Sequence, residues 1–188
     1  MSSPAAHDPL PIELGDRVVL RRYTSEDLDA LWSAVDAERA RIGVWMPWVE
    51  ETTSIDHQRA WLEKVIADPE TLDATGMFEG ETFVGGVGLS WDPFRIAGEI
   101  GYWIRSAYEG RGLVTRAADA FTRIAFESVG LNRVVIRAAV DNVRSRAVAE
   151  RLGYSQEGVE RGAGRGFGGF QDMAVYVMLA DEWRSRPR

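Results

Sequence analysis

The sequence predicts a single mixed α/β domain, and three observations carry that expectation. Residues 75–104 read as an antiparallel meander: Thr75–Phe78 and Thr82–Trp91 lie around the turn Glu79-Gly80, and Asp92-Pro93 with Gly98 marks the next turn before a third strand. The stretch Glu99-Ile-Gly-Tyr-Trp-Ile-Arg-Ser-Ala-Tyr-Glu-Gly-Arg-Gly-Leu-Val-Thr-Arg-Ala117 reads as strand, glycine loop and helix. The chain has 188 residues, 45% of them hydrophobic and 27% charged, which suits one globular domain with a substantial core.

Taken in order, Met1–Pro11 is a polar, Pro-containing leader expected to be flexible, and the domain is expected to run over residues 12–188. Arg17–Tyr23 predicts a first strand. Thr24-Ser-Glu-Asp27 is a helix start of capping-box type, followed by Leu28, Leu31, Trp32 and Val35 at helical spacing. Val44-Trp-Met-Pro-Trp48 is an aromatic loop interrupted by Pro47, and Ser54 caps a second helix containing Trp61, Leu62, Val65 and Ile66. After the glycine loop, Ala117, Ala118, Phe121, Ile124 and Ala125 form an apolar helical face ending near Gly130. Leu131–Val140 is rich in β-branched residues and predicts a strand, Asn142–Leu152 a short helix ended by Gly153. Tyr154–Ala163 and Phe170–Ala180 read as a terminal pair of strands joined by the glycine-rich segment 162–169. The expected order is β-α-α-β-β-β-α-β-α-β-β.

Composition narrows the chemistry. The absence of cysteine excludes disulfides, thiolate nucleophiles and Cys-rich zinc sites. His7, in the leader, and His57, early in a helix, are isolated, and no metal site is expected. The leader has no signal-peptide pattern and no apolar run approaches membrane-spanning length, so a cytoplasmic protein is expected. A net charge of −7 disfavours nucleic acid as a partner. That charge is uneven: residues 1–100 hold 19 Asp and Glu against 8 Lys and Arg, whereas residues 101–188 hold 10 against 14. The glycine loop lies in the basic half.

A glycine loop running into a helix N-terminus points to an anionic ligand. The first N–H groups of a helix lack intrahelical partners, they sit at the positive end of its dipole, and glycine lets a phosphate approach them. The Rossmann fingerprint does not fit, because Thr115 stands where its third glycine belongs; nor does the P-loop, because the only lysine is Lys64. A glycine pair at such a turn is also ordinary turn chemistry. The residues leave a phosphorylated cofactor as the candidate ligand.

Trp45-Met-Pro-Trp48, Glu99-Ile-Gly-Tyr-Trp-Ile104, Tyr108-Glu-Gly-Arg-Gly112 with Thr115, Gly130-Leu-Asn-Arg133, Asn142-Val-Arg-Ser145, Glu150-Arg-Leu-Gly-Tyr154, Glu157-Gly158, Arg161 and Asp172 fall together in one order. With these stretches the chain resembles the GNAT N-acetyltransferases, in particular the RimJ/RimL-type acetylases of ribosomal-protein N-termini. The resemblance implies one domain with a mixed, mostly antiparallel sheet, splayed central strands and flanking helices. It implies acetyl-CoA as cosubstrate, with pyrophosphate on the backbone of Gly110, Arg111, Gly112, Leu113 and Val114, and with Thr115 beside it. The pantetheine arm would lie along Trp103, Ile104 and Arg105, where a backbone N–H would polarise the thioester carbonyl. Ala107 stands where such loops often begin with Gln or Arg, and Arg111 would compensate.

The same resemblance implies that Asn142 binds the pantetheine or orients the substrate and that Ser145 donates a proton to the leaving thiolate, since Ala149 replaces a tyrosine common in relatives. Glu99 is the candidate base, through water, with Glu160 a weaker substitute because Gly164 stands where relatives carry an acid. Trp45 and Trp48 are expected at the wall of the acceptor cleft, the alternative being a loop pinned to the core. The function implied is acetyl transfer to a primary amine, foremost an N-terminal α-amine of a protein or peptide, by a monomer or homodimer without membrane or nucleic-acid partners. Alternatives are acylation of a small amine (amino sugar, antibiotic or polyamine), another donor such as succinyl-CoA, and a GNAT-fold CoA sensor or scaffold.

Overall fold

A computed structural model describes residues 8–68, 71–92, 94 and 96–186. The leader residues 1–7, with His7, and Pro93 of the Asp92-Pro93 turn lie outside them. Eight strands form one sheet: β1 (Ile12–Gly15), β2 (Val18–Arg21), β3 (Thr75–Glu79), β4 (Thr82–Trp91), β5 (Ala97–Ile104), β6 (Arg133–Ala139), β7 (Ser155–Gly166) and β8 (Gly169–Leu179). Their spatial order is β1-β2-β3-β4-β5-β6-β8-β7, and β5 with β6 is the parallel pair in an otherwise antiparallel sheet.

Helices cover both faces. On one face lie α1 (Leu28–Ile42), a single turn α2 (Trp48–Glu51) and α3 (Ile55–Ala67); on the other lie α4 (Leu113–Arg123), which continues as π-helix over Ile124–Val129, and α5 (Val143–Arg151). The apolar spacing explains this. Leu28, Leu31, Val35 and Leu62 pack with Tyr23, Phe78 and Phe83. Leu113, Ala117, Phe121, Ala125, Val148 and Ala149 pack with Leu20, Met77, Leu89, Ile100 and Ile136. A short helix α6 (Ala180–Arg184) ends the chain's described part.

Two local devices set the entry to α1. The Thr24 N–H donates to Asp27 Oδ2 at 2.7 Å, closing the capping box, and Arg21 forks onto the same carboxylate with two bonds of 2.8 Å. Burial works against the Asp27 charge, yet the Arg21 fork and the Thr24 N–H outweigh it and hold the carboxyl below its usual range.

The structure adds to the sequence reading at both ends. Ile12–Gly15 is a strand in its own right, paired with β2, and Leu10 before it is buried in the core while Asp8 pairs with Arg22 at 3.0 Å. The glycine-rich segment 162–169 is strand rather than loop up to a two-residue turn, because Gly166 pairs directly with Gly169. The hairpin tip docks on the aromatic loop: Phe167 N–H donates to Gly43 O at 2.9 Å and Gln171 Nε2 to Val44 O at 2.7 Å. A Cβ on Gly166 would lie 2.0 Å from the Val44 carbonyl, so only glycine permits that approach.

Candidate active site

The site begins where the sheet opens. Parallel pairing of β5 with β6 spans Ala97–Arg133, Gly98–Val134 and Glu99–Val135 and then stops, although β5 stays paired with β4 as far as Ile104 and β6 with β8 as far as Ala139. The inner edges of two central strands are thereby parted over Ile100–Ile104. The Arg105 N–H donates to Val84 O on β4 at 2.9 Å, so the alternation of an antiparallel ladder turns the N–H and C=O of Ile104 to the parted side. Arg41 donates to that Ile104 carbonyl and is itself held by Glu38 at 2.5 Å and Glu109 at 2.8 Å. Of the strand residues expected along the pantetheine, Ile104 therefore offers its backbone to the gap, whereas the ladder turns Trp103's backbone to β4. The Arg105 guanidinium points back to Phe83 O at 3.0 Å.

The glycine loop closes one end of this gap. Gly112 is the N-cap of α4 with φ 72°, a left-handed conformation that glycine adopts without strain, and no side chain caps the helix. Gly110 also has positive φ, and the space where its Cβ would stand is open. Uncapped N–H groups beside an open glycine form a cradle that fits a phosphate. Leu113 is buried and anchors the helix, Val114 is half-buried, and Thr115 Oγ1 accepts from Arg151 at 3.0 Å. Arg111 turns to Glu79 at 3.3 Å and Asp16 O at 3.2 Å, and Arg116 pairs with Asp16 at 2.6 Å. Arg151 was not singled out by the sequence, since only the fold brings it to the loop, and Arg116, one turn into the helix, stands beside it.

At the other wall of the gap, Asn142 Oδ1 accepts the Ser145 N–H at 3.1 Å and caps α5. Ser145 Oγ donates to Tyr102 Oη at 3.3 Å, and Tyr102 Oη donates to Ser145 O at 3.0 Å. Tyr102, on the parted stretch of β5, carries no signal in the sequence beyond its place in the Gly-Tyr-Trp run. Ala149, one turn further along α5, is buried.

A cleft of about 660 Å³ opens between α1, α3 and the faces of β4 and β5. Trp48, Trp61, Trp103, Asp68, Asp73 and Glu99 are among its lining residues, as is Gln58, whose buried Oε1 has no hydrogen-bond partner. Trp48 stands 6.1 Å from Trp103, ring centre to ring centre. Trp45 is not among the residues that line this cleft. Burial, reinforced by Asp68, pushes the Asp73 carboxyl above its usual range. Glu50, beside Trp48, is paired with Arg165 of the β7–β8 hairpin at 2.9 Å; the cleft's own carboxylates are Asp68, Asp73 and Glu99. Glu99 and Glu160 converge on one guanidinium: Arg137 donates to Glu99 and reaches Glu160 at 3.0 Å.

The comparisons with known proteins give this arrangement its family. Residues 17–155 match the family described as "Acetyltransferase (GNAT) domain". The chain is 32% identical over 176 residues to a protein of Bacillus subtilis (strain 168) named "Putative ribosomal N-acetyltransferase YdaF", covering 91% of this chain and 96% of that one. A solved structure titled "Probable acetyltransferase" is 31% identical and superimposes with a TM-score of 0.83, covering 93% of this chain and 99% of the other. RimL, the ribosomal L7/L12 alpha-N-protein acetyltransferase solved in complex with coenzyme A, shares the fold at 23% identity and a TM-score of 0.82, over 92% of this chain and 99% of its own. The chain belongs to the GNAT acetyltransferase family and is an N-acetyltransferase. Among the described residues no helix is long and apolar enough to cross a membrane.

Proposed function

We propose that the protein transfers an acetyl group from acetyl-CoA to an N-terminal α-amine of a protein or peptide. The observation that carries this reading is the alignment of three features: the glycine cradle at α4, the gap between β5 and β6, and the acidic, aromatic cleft that reaches Glu99. Acetyl-CoA supplies an activated thioester, as the coenzyme A held by its structural neighbour suggests. The chain's part is to bind the pyrophosphate on the N–H groups of Gly110–Val114, present the Ile104 N–H to the thioester carbonyl, and guide the amine past Trp48 and Glu99.

The site is equipped for an amine that needs little deprotonation. An α-amine with pKa about 7.7–8.0 is roughly a tenth neutral at pH 7, whereas a lysine near 10.4 is under a thousandth neutral. Glu99 is engaged by Arg137 and no histidine lines the cleft, so an amine neutral on its own account suits the geometry. Ser145 and Asn142 serve the leaving side.

A second reading, acylation of a small amine, is favoured by the cleft volume, which lies in the range that encloses small ligands. One experiment separates the two. Thiol release from acetyl-CoA is followed with short peptides bearing free or blocked N-termini and with amino sugars and polyamines. Turnover with free peptides and none with blocked peptides or small amines supports the first reading; the reverse supports the second.

A further inference from the structure

We infer that Tyr102 is a further catalytic residue: its phenol hands the leaving sulfur its proton, with the Ser145 hydroxyl steadying the phenolate behind it. The inference rests on the acetyl-transfer reading above and names a group within it. Tyr102 lies three residues beyond the last β5–β6 pair, on the stretch whose inner edge is free, and its side chain crosses to the first turn of α5. The hydroxyl directions matter. Ser145 Oγ–H is spent on Tyr102 Oη at 3.3 Å, whereas the Tyr102 O–H rests on the Ser145 main-chain carbonyl at 3.0 Å, a bond that exchanges for another acceptor without leaving a side chain unpaired. The mobile proton of this pair is thus the phenol's.

The other tyrosines are committed elsewhere. Tyr108 Oη reaches Glu79 at 3.4 Å, Tyr154 pairs with Thr122 at 2.7 Å, and Tyr176 donates to Glu150 at 2.7 Å. Tyr23 stacks in the cluster under α1 and α3, on the cleft side of the sheet. Only Tyr102 among them spans the parted strands. Burial pushes its phenol up to about 12, so it is protonated at any working pH, while the hydrogen bond from Ser145 acts in the opposite direction and eases loss of the proton.

The step balances as follows. The amine lone pair forms the C–N bond, and the C–S bond breaks with its electron pair left on sulfur. The Tyr102 proton moves to that sulfur to give the thiol. The phenolate, held by Ser145 Oγ–H, regains a proton from water, which has taken the proton released by the amine nitrogen.

Two measurements test this on the full chain. Tyr102→Phe, which keeps the ring, should lower kcat by about 10- to 100-fold with KM for acetyl-CoA and amine within about twofold, and adding Ser145→Ala should cost little more, because both act on one proton. Calorimetry then compares CoA with desulfo-CoA. Wild type should favour CoA through the contact between phenol and sulfur, and Tyr102→Phe should abolish that preference while binding desulfo-CoA normally. Wild-type kcat in the variant, or an unchanged CoA preference with intact binding, would overturn the role of Tyr102 alone. Failure of the wild type to bind either nucleotide would overturn the transfer reading beneath it. Should the variant lose its thermal transition, fluorotyrosine at 102 replaces it: a more acidic phenol should bring an alkaline limb of kcat to lower pH, and an unmoved profile contradicts the proposal.

Discussion

Arg137 donates to Glu99 across the line where β5 and β6 part, two residues beyond their last pair, and the same guanidinium reaches Glu160 on β7. One cation thus gathers both carboxylates that the sequence offers as bases. Glu99 lines the cleft, oriented from below by Arg137, and in the proposed reaction it would face the incoming amine. Replacing Glu99 with Gln is expected to lower kcat/KM for the amine by roughly 10- to 100-fold, with acetyl-CoA affinity unchanged. Steady-state kinetics with varied amine check this; an unaffected kcat/KM would make Glu99 a purely structural partner of Arg137.

Gly112→Asp should weaken acetyl-CoA binding by well over tenfold. The new side chain sits at φ 72°, a backbone conformation most residues avoid, and sets a carboxylate where, in the proposed binding mode, the N–H groups of α4 would meet pyrophosphate. Titration calorimetry reads it directly, with circular dichroism to verify that the variant is folded. A folded variant with wild-type affinity would place the pyrophosphate elsewhere.

Ser145→Ala should reduce kcat by up to about 10- to 100-fold, no more than Tyr102→Phe, with CoA affinity little changed, because it removes the hydrogen bond that supports Tyr102 without touching the glycine cradle. The Asn142 cap of α5 uses the Ser145 backbone N–H and survives the change. Single-turnover kinetics distinguish a loss of chemistry from slower product release.

Trp48→Ala should raise the amine KM while acetyl-CoA affinity holds. Trp48 lines the cleft and packs on Trp103, so some loss of stability accompanies it, on the order of 1–3 kcal/mol for a half-buried aromatic. Glu50→Gln is the informative partner: because Glu50 is bound to Arg165, the substitution should leave amine KM unchanged. A raised KM in Glu50→Gln would place that carboxylate on the acceptor path.

Stability should fall in acid through Asp27. Its carboxyl is held below its usual value in the folded state, so its contribution is complete above the unfolded value of about 3.9 and drains away as pH drops through the lower, folded one. Urea unfolding at pH 7 and pH 3.5 tests the sign. Asp27→Asn should lose about 1–3 kcal/mol at pH 7 and show a smaller further loss in acid, since the Arg21 fork has lost its charged partner at both pH values.

What the sequence made legible was local. The capping box at Thr24, the Ser54 cap, the glycine loop and the apolar faces of α1 and α4 each depend on neighbours within a turn or two, and each stands where its residues indicated. The strand β1 escaped because it is only four residues long, and its turn follows Gly15 with Asp16 and Arg17, both at positive φ, a conformation that few residues other than glycine adopt. The β7–β8 hairpin is where the sequence placed its strands, but its tip at 162–169 reads as a loop because Gly166 serves close packing on Val44 rather than a wide turn. The partners that shape the site are long-range. Tyr102 meets Ser145 across 43 positions and Arg151 meets Thr115 across 36, and no periodicity encodes such meetings. Glu99 and Trp48 were legible as site candidates, but the engagement of Glu99 by Arg137 and of Glu50 by Arg165 exists only once the sheet is assembled.

The most direct test is thiol release from acetyl-CoA by the purified wild-type protein, with two peptides of one sequence that carry a single lysine, one with a free α-amine and one with the α-amine blocked. The account predicts turnover with the first and essentially none with the second, and an acetyl group on the terminal nitrogen by mass spectrometry. Equal turnover with the blocked peptide, or acetylation confined to the lysine side chain, would contradict it.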